Sequence, residues 1–430
     1  MSPLLPAELI DAGLYGSMQR YGDLCIHAVL DLGRSFSRAE LERAVEATIA
    51  DFPVLGRRYE LRFWRDHWVR VEGPVSDAVH VVDDPGDLEA ATTAWARRSI
   101  ESTRERQIRL VSLRRGDKSR LILSIMHLAV DGAGVAAVGH VLGSHLYGVR
   151  PSLPVDARRE IGRALDGLRW WHAPVLARDL AATLVQPLFT WGAAKRERHF
   201  PAAPSRASSW RHVVLSEEEL AAIKARCRER GASVNDLLIA ALARVSAGRS
   251  SDGPVAVIYT MDLRRYGAAA RLTATNTSSI LTAIVPRNAV SDLATTAGAV
   301  AAITARQRRS LVGPAYVLAP YALALGSPHA LVRRFVLQLH RTVIDLPLSR
   351  GLLVTNVGRI DDGLHAFGAD IEDIRIIGPN IEGVSVPAVV AFGFRGRLHL
   401  ELFAPPGLAP EALDELEREL YAAFELPARG

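Results

Sequence analysis

The sequence predicts an α/β protein built in two halves. Three observations carry that expectation: 430 residues with 49% hydrophobic content, helix signals alternating with short apolar runs, and a proline-punctuated stretch near the middle. The length exceeds one ordinary domain, and the apolar fraction suffices for two cores. Mixing the helical period with strand-like runs gives α/β texture rather than an all-helical or all-strand pattern. Charged residues make up 23%, the composition of a soluble folded chain rather than a disordered one.

In the first half, Ser37-Arg38-Ala39-Glu40 is a capping box, and Leu41, Val45 and Ile49 follow at helical spacing up to Asp51, before Pro53. Alternation from Tyr59 to Val69 predicts a strand or hairpin, and Leu88 to Ile100 a second helix. Ile108–Leu113 and Leu121–Ile125 read as paired strands across the Gly116-Asp117 turn. Small and apolar residues from Gly132 to Tyr147 then predict a helix.

The middle stretch carries Pro151, Pro154, Pro174, Pro187, Pro201 and Pro204 among apolar and Arg-bearing pieces. It reads as a connection over 156–204 between a domain at 1–155 and another at 205–430. Its Trp170-Trp171 and Phe189-Thr190-Trp191 have two readings: contact with a membrane surface, or cover for the protein's own surface or a substrate entrance. The second half opens with another capping box, Ser216 to Glu219, whose helix is lined by Leu220, Ile223 and Cys227. Ser233-Val234-Asn235-Asp236 starts a further helix through Val245. Strands are expected at Pro254–Met261, Ser279–Val285 and Leu352–Thr355, with helices near 291–309 and 329–341. A hairpin across Arg395-Gly396 and a closing amphipathic helix, Pro410 to Phe424, complete the chain.

Composition excludes several function classes. The formal charge is +5, but of 52 basic residues only Lys118, Lys195 and Lys224 are lysines, and no basic block dense enough to track phosphates occurs. Nucleic acid is therefore not an expected partner. Cys25 and Cys227 are far apart without metal spacing, so no zinc site or disulfide framework is expected, and a reducing cytoplasm is the economical location. The start lacks a basic n-region, and no run of 18 apolar residues exists, so neither a signal peptide nor a membrane span is expected, although peripheral membrane contact stays open.

The most informative segment is Ile125-Met126-His127-Leu128-Ala129-Val130-Asp131-Gly132, with H-x-x-x-D-G spacing between an expected strand and an expected helix. A histidine on such a turn is anchored by two rigid elements, and imidazole chemistry suits proton transfer near neutral pH. Asp131 adds a charge, and Gly132 is read as allowing a turn that a Cβ would obstruct. The plain alternative is a structural histidine at a strand end. Gly132-Ala133-Gly134-Val135-Ala136-Ala137 also satisfies a dinucleotide fingerprint, but Val149-Arg150-Pro151-Ser152-Leu153-Pro154 is no strand core where that motif needs one. No G-x-S-x-G, H-E-x-x-H or Walker loop is present.

With those alternatives set out, the chain resembles the thioester-dependent acyltransferase superfamily: chloramphenicol acetyltransferase, nonribosomal peptide condensation domains, plant BAHD acyltransferases, wax ester synthases and mycobacterial polyketide-associated acyltransferases. The signature is His127-x-x-x-Asp131-Gly132, with Met126 where many bacterial members carry a second histidine. Phe52-Pro53-Val54-Leu55-Gly56-Arg57, Ser233-Val234-Asn235-Asp236, Met261-Asp262-Leu263-Arg264 and Thr355-Asn356-Val357-Gly358 resemble further family segments in the same order, over about residues 35 to 405.

The resemblance implies two chloramphenicol-acetyltransferase-like domains in a V shape with a tunnel at their junction. It implies acyl transfer from coenzyme A or a carrier-protein phosphopantetheine to an alcohol or amine, in natural-product or lipid biosynthesis, with His127 as general base and no permanently bound cofactor or metal. It pairs Asp131 with Arg264, the alternative being that Asp131 only caps the following helix. Asn356 and Gly358 would shape the tunnel floor, and Ser385 would donate to the oxyanion, the alternative being an ordinary loop serine. Asn235 and Asp236 read as helix caps. Two other functions stay in view: an idle condensation-like module that docks a carrier protein or partner enzyme, and a membrane-surface lipid acyltransferase.

Overall fold

The structure is a computed structural model and describes residues 4–181, 200–201, 208–249, 253–324, 326–339, 351–379, 381–382 and 386–427. Its strands are β1 (Leu4–Pro6), β2 (Cys25–Leu32), β3 (Arg57–Glu60), β4 (His67–Arg70), β5 (Val79–Asp83), β6 (Ile108–Arg115), β7 (Lys118–Met126) and β8 (Val155–Asp156). They continue with β9 (Ser209–Leu215), β10 (Val255–Asp262), β11 (Leu272–Thr273), β12 (Ser278–Val285), β13 (Leu353–Arg359), β14 (Ile371–Ile377), β15 (Ala388–Phe394) and β16 (Arg397–Ala404).

Two sheets organise the molecule. The first has order β14-β2-β7-β6-β5, and the second β12-β10-β13-β15-β16-β9. Both mix parallel and antiparallel pairs: β5 runs parallel to β6, and β13 parallel to β10 and β15, with the remaining pairs antiparallel. The α/β class thus stands.

Each sheet packs helices against a buried face, and the helix Leu88–Ala96 covers the opposite face of the first sheet over Val29, Val111, Leu113 and Ile122. Leu41 and Val45 of the helix Arg38–Asp51 and Val138 and Val141 of Gly132–Tyr147 share a core with Leu30, Leu123 and Ile125. In the second core, Leu238 and Leu242 of Val234–Arg249 and Leu416 and Leu420 of Glu411–Ala423 meet Val257, Leu281, Val354 and Leu400. The caps act as the sequence predicts. Ser37 Oγ accepts from Glu40 N while Ser37 N donates to Glu40 Oε2, and Ser216 and Glu219 repeat the exchange. At the next helix Ser233 is the cap and Asp236 the returning carboxylate, at 2.8 Å from Ser233 N.

The two halves interlock in chain terms. β14, from the second half, pairs along β2 and closes the edge of the first sheet. The helix Leu9–Tyr21 packs against the helix His329–Leu339, where a Cβ at Gly16 would stand 2.6 Å from Arg333 O. The connection is also attached: β8 pairs in parallel with β11. A strand at Val155 that pairs with β11 rather than with the first sheet leaves the dinucleotide fingerprint without its second strand.

Trp170 and Trp171 are 83% and 57% exposed, so they do not cover the protein's own surface, contrary to one reading above. Phe189 and Trp191 lie outside the described residues. No helix among the described residues is long and apolar enough to cross a membrane. Cys25 and Cys227 are free and buried.

Candidate active site

β7 delivers His127 to the turn before the helix Gly132–Tyr147, as its spacing predicts. His127 N donates to Leu24 O at 3.1 Å, which ties the turn to the start of β2. The ring is half-buried, and its Nδ1 lies 3.1 Å from Asn276 Oδ1. Asn276 Nδ2 donates to Leu128 O at 3.0 Å, which fixes the amide so that its oxygen faces the imidazole. Nδ1 must then carry the proton, leaving the lone pair on Nε2 to accept one. Asn276 belongs to the second half, in the loop between β11 and β12. Sequence reasoning missed it, because a polar residue in Thr273-Ala274-Thr275-Asn276-Thr277 has no local signature beyond that of a turn.

Asp131 is 1% exposed and collects an unusual number of donors. Its carboxylate takes two parallel bonds from Arg264, each 3.0 Å, so the ion pair is bidentate. It also accepts from Gly134 N at 2.8 Å, Thr277 N at 2.8 Å and Ser278 Oγ at 3.0 Å. Capping and ion pairing are therefore both present. Burial pushes the Asp131 carboxyl up, but the Arg264 charge and these hydrogen bonds outweigh burial and hold it below its ordinary value. Arg264 sits in the turn after β10 and is further held by Thr273 Oγ1 at 2.9 Å and Thr275 O at 2.9 Å. Burial opposes its charge, and Asp131 and then Asp262 more than compensate, raising its pKa.

Arg159 completes the clamp. Its guanidinium donates to Ala129 O inside the signature turn, to Ala274 O at 2.7 Å and to Asp11 at 2.7 Å. Asp11 is fully buried and also accepts from Trp68 Nε1 at 2.9 Å. The connection thus carries a positioning residue for the turn, read from the sequence only as linker.

The glycines divide differently from the sequence reading. Gly132 has no positive φ, and a Cβ built there meets only Val357 Cγ2 at 3.6 Å, an ordinary contact. A Cβ at Gly134 would instead stand 2.9 Å from Val130 Cβ and 3.3 Å from Asp131 Oδ1. The close approach belongs to Gly134, because its N–H must reach the Asp131 carboxylate.

Asn356 and Gly358 lie on β13 at a bulge, where Gly358 N donates to Asn356 Oδ1 at 2.9 Å and Gly358 takes φ +87°. They line a cleft of about 490 Å³ together with Lys224, Arg359 and Arg397. A second, smaller cleft of about 220 Å³ lies between the halves, lined by Ala133, Ala136 and His140 of the signature helix and by Arg264, Val357 and Arg359. The small side chains at helical spacing after Gly132 are what leave that space. Arg359 borders both clefts, and His127 is not among the lining residues of either. Ser385 lies outside the described residues.

No protein-family model matches the sequence, and no curated protein matches it. Solved structures do match in fold. The first condensation domain of the calcium-dependent antibiotic synthetase, in complex with a substrate analogue, superposes with a TM-score of 0.68 at 18% identity, covering 98% of this chain and 95% of that one. The trichothecene 15-O-acetyltransferase TRI3 from Fusarium sporotrichioides gives 0.70 at 12% identity, covering 98% and 95%. Polyketide synthase associated protein 5 from Mycobacterium tuberculosis gives 0.65 at 15% identity, covering 99% and 98%. Over nearly its whole length, the chain has the fold shared by this condensation domain, this acetyltransferase and this polyketide-synthase-associated protein.

Proposed function

We propose that the protein is an acyltransferase that moves an acyl group from a coenzyme A or carrier-protein thioester to a hydroxyl or amine acceptor, with His127 as general base. The observation that carries this reading is the Asn276 contact, which presents His127 in the tautomer able to accept a proton at Nε2. The acceptor O–H or N–H gives its proton to Nε2 as its heteroatom attacks the thioester carbonyl. The C–S bond then breaks, and the leaving thiolate takes the proton back from the imidazolium. Donor and acceptor need only be held together, so no acyl-enzyme forms.

Lys224, Arg359 and Arg397 beside the Asn356 cleft suit the phosphate groups of a coenzyme A or phosphopantetheine donor. Asp131 and Arg264 act as a strut that ties the catalytic turn to the second half. An idle docking module is disfavoured by an imidazole positioned this way. Fold neighbours in peptide synthetases support a natural-product setting.

The deciding experiment is acyl transfer from a panel of acyl thioesters to candidate alcohols and amines, read by mass spectrometry for wild type and His127→Ala. The expected loss in turnover is roughly 10²–10⁴-fold, the contribution of a positioned base. Near wild-type turnover in His127→Ala on a productive substrate pair rejects the general-base role.

The exposure of Trp170 and Trp171 favours a variant of this reading in which the enzyme works at a membrane surface. Flotation with anionic vesicles should then retain wild type and release the Trp170→Ala/Trp171→Ala double variant. Wild type that stays with the soluble fraction rejects the membrane variant and leaves the acyl-transfer reading intact.

A further inference from the structure

Away from His127, three strands bring two histidines and a carboxylate together. His212 lies on β9, His399 on β16 and Asp373 on β14, with ligand atoms all within 4.8 Å of one another. β9 and β16 are neighbours in the second sheet, whereas β14 is the edge of the first. The strand register creates this meeting. Glu401 stands opposite His212, and His399 is two residues along β16, so all three share one face. The alternate residues Leu398, Leu400 and Leu402 turn to the second core.

The nitrogens are spaced for a shared ion. His212 Nε2 and His399 Nδ1 face each other at 3.2 Å. A tetrahedral zinc with bonds of about 2.0–2.1 Å keeps two nitrogen ligands about 3.3 Å apart. The other nitrogen of His212 lies 2.9 Å from Glu401 Oε2, and Glu401 is fully buried and held by Arg375 at 2.9 Å. A carboxylate behind an imidazole in this way is the usual outer support of a metal-bound histidine.

His399 is fully buried and stacks on Phe392 at 4.9 Å, which fixes the ring with Nδ1 toward His212. The Asp373 carboxylate forms no hydrogen bond or ion pair with another described residue.

The charge balance also fits a divalent cation. Asp31, Glu89 and Glu401 pair with Arg120 and Arg375, and Asp373 beside this network adds a further carboxylate, an excess of two negative charges. Arg397 and Asp361, which also act on His399, offset each other.

We propose that His212, His399 and Asp373 form a binding site for a zinc-class divalent metal ion that clasps the edge of the first sheet to the second. His212, 14% exposed at its side chain, marks the way in and leaves the fourth position to water. The role is structural, because the three ligands come from strands of both sheets and one ion would tie those sheets together. The absence of a zinc site expected from cysteine spacing does not bear on it, since no cysteine takes part.

The test uses untagged full-length protein stripped with EDTA. Zinc is titrated by calorimetry, and cobalt is added to read its visible spectrum. The expected results are one zinc per chain, a tetrahedral cobalt spectrum, and a melting temperature that rises with zinc. His212→Gln and Asp373→Asn, both at partly exposed positions, should each weaken zinc binding at least about tenfold and abolish the thermal response. His127→Ala should bind zinc as wild type does, which separates this site from the proposed chemistry. Circular dichroism checks that the variants fold, and if His212→Gln does not, Asp373→Asn decides alone. Wild type without stoichiometric zinc overturns the proposal, as do folded variants that bind zinc as tightly as wild type.

Discussion

Replacing Arg264 by alanine tests the strut most directly. The substitution removes both bonds to a carboxylate that is 1% exposed, so Asp131 keeps its charge but loses its counter-ion. Breaking one side of a buried pair costs about 3–5 kcal/mol. The lower end is expected here, because Gly134 N, Thr277 N and Ser278 Oγ still donate to Asp131. For 430 residues unfolding as one unit, this is a fall in Tm of about 3 °C.

The pH dependence supplies a second readout with a definite sign. In wild type the Asp131 pKa is depressed, so its contribution is present above the unfolded value and is lost as pH falls through the folded one. In Arg264→Ala burial, which pushes the carboxyl up, loses its main opponent. Protonation then relieves the unpaired charge, and the deficit against wild type should shrink as pH drops from 7 toward 4. A double-mutant cycle with Asp131→Asn should show coupling of about 1–3 kcal/mol. A loss below about 1 kcal/mol at pH 7, or a deficit that grows on acidification, would falsify the buried-strut account.

Three further outcomes are expected. Asn276→Ala removes the bond that holds the His127 tautomer, about 1.5 kcal/mol, so kcat should fall roughly tenfold, and it also removes the donor to Leu128 O, so Tm should fall as well; an unchanged kcat would show that Asn276 does not position the ring. Gly134→Ala should cost about 1–3 kcal/mol in urea unfolding because its Cβ crowds Val130 and Asp131, whereas Gly132→Ala should stay within about 0.5 kcal/mol, and the reverse order would contradict the packing. Arg159→Met should cost about 3–5 kcal/mol by leaving Asp11 buried without its cation, and equal stability to wild type by calorimetry would remove Arg159 from the clamp.

The sequence by itself determined the local elements and the chemistry of the turn. The capping boxes at Ser37 and Ser216, the β6–β7 pair, the helix Gly132–Tyr147 and the closing helix were all legible, because caps, turns and apolar periods act over a few residues. His127 at a strand-to-helix turn was legible for the same reason. Tertiary structure alone decided what surrounds it. Asn276 is 149 residues from His127, and Arg159 reaches Asp11 across 148. Neither contact leaves a trace in local pattern, since an asparagine in a Thr-rich loop and an arginine in a linker look the same whether or not they are buried.

Among the elements that went unread are the helix Leu9–Tyr21, the helix Val312–Ala324, β2, β5, β9 and β14. The composition of β14 is ordinary, and even a strand assignment would not have placed it beside β2, because a pairing between strands more than 300 residues apart leaves no trace in local pattern. That same placement carries Asp373 to His212 and His399 and lets the chain's second half complete the first sheet. Local sequence specifies which segments become helices and strands, and the packing of two cores against each other decides which distant side chains meet.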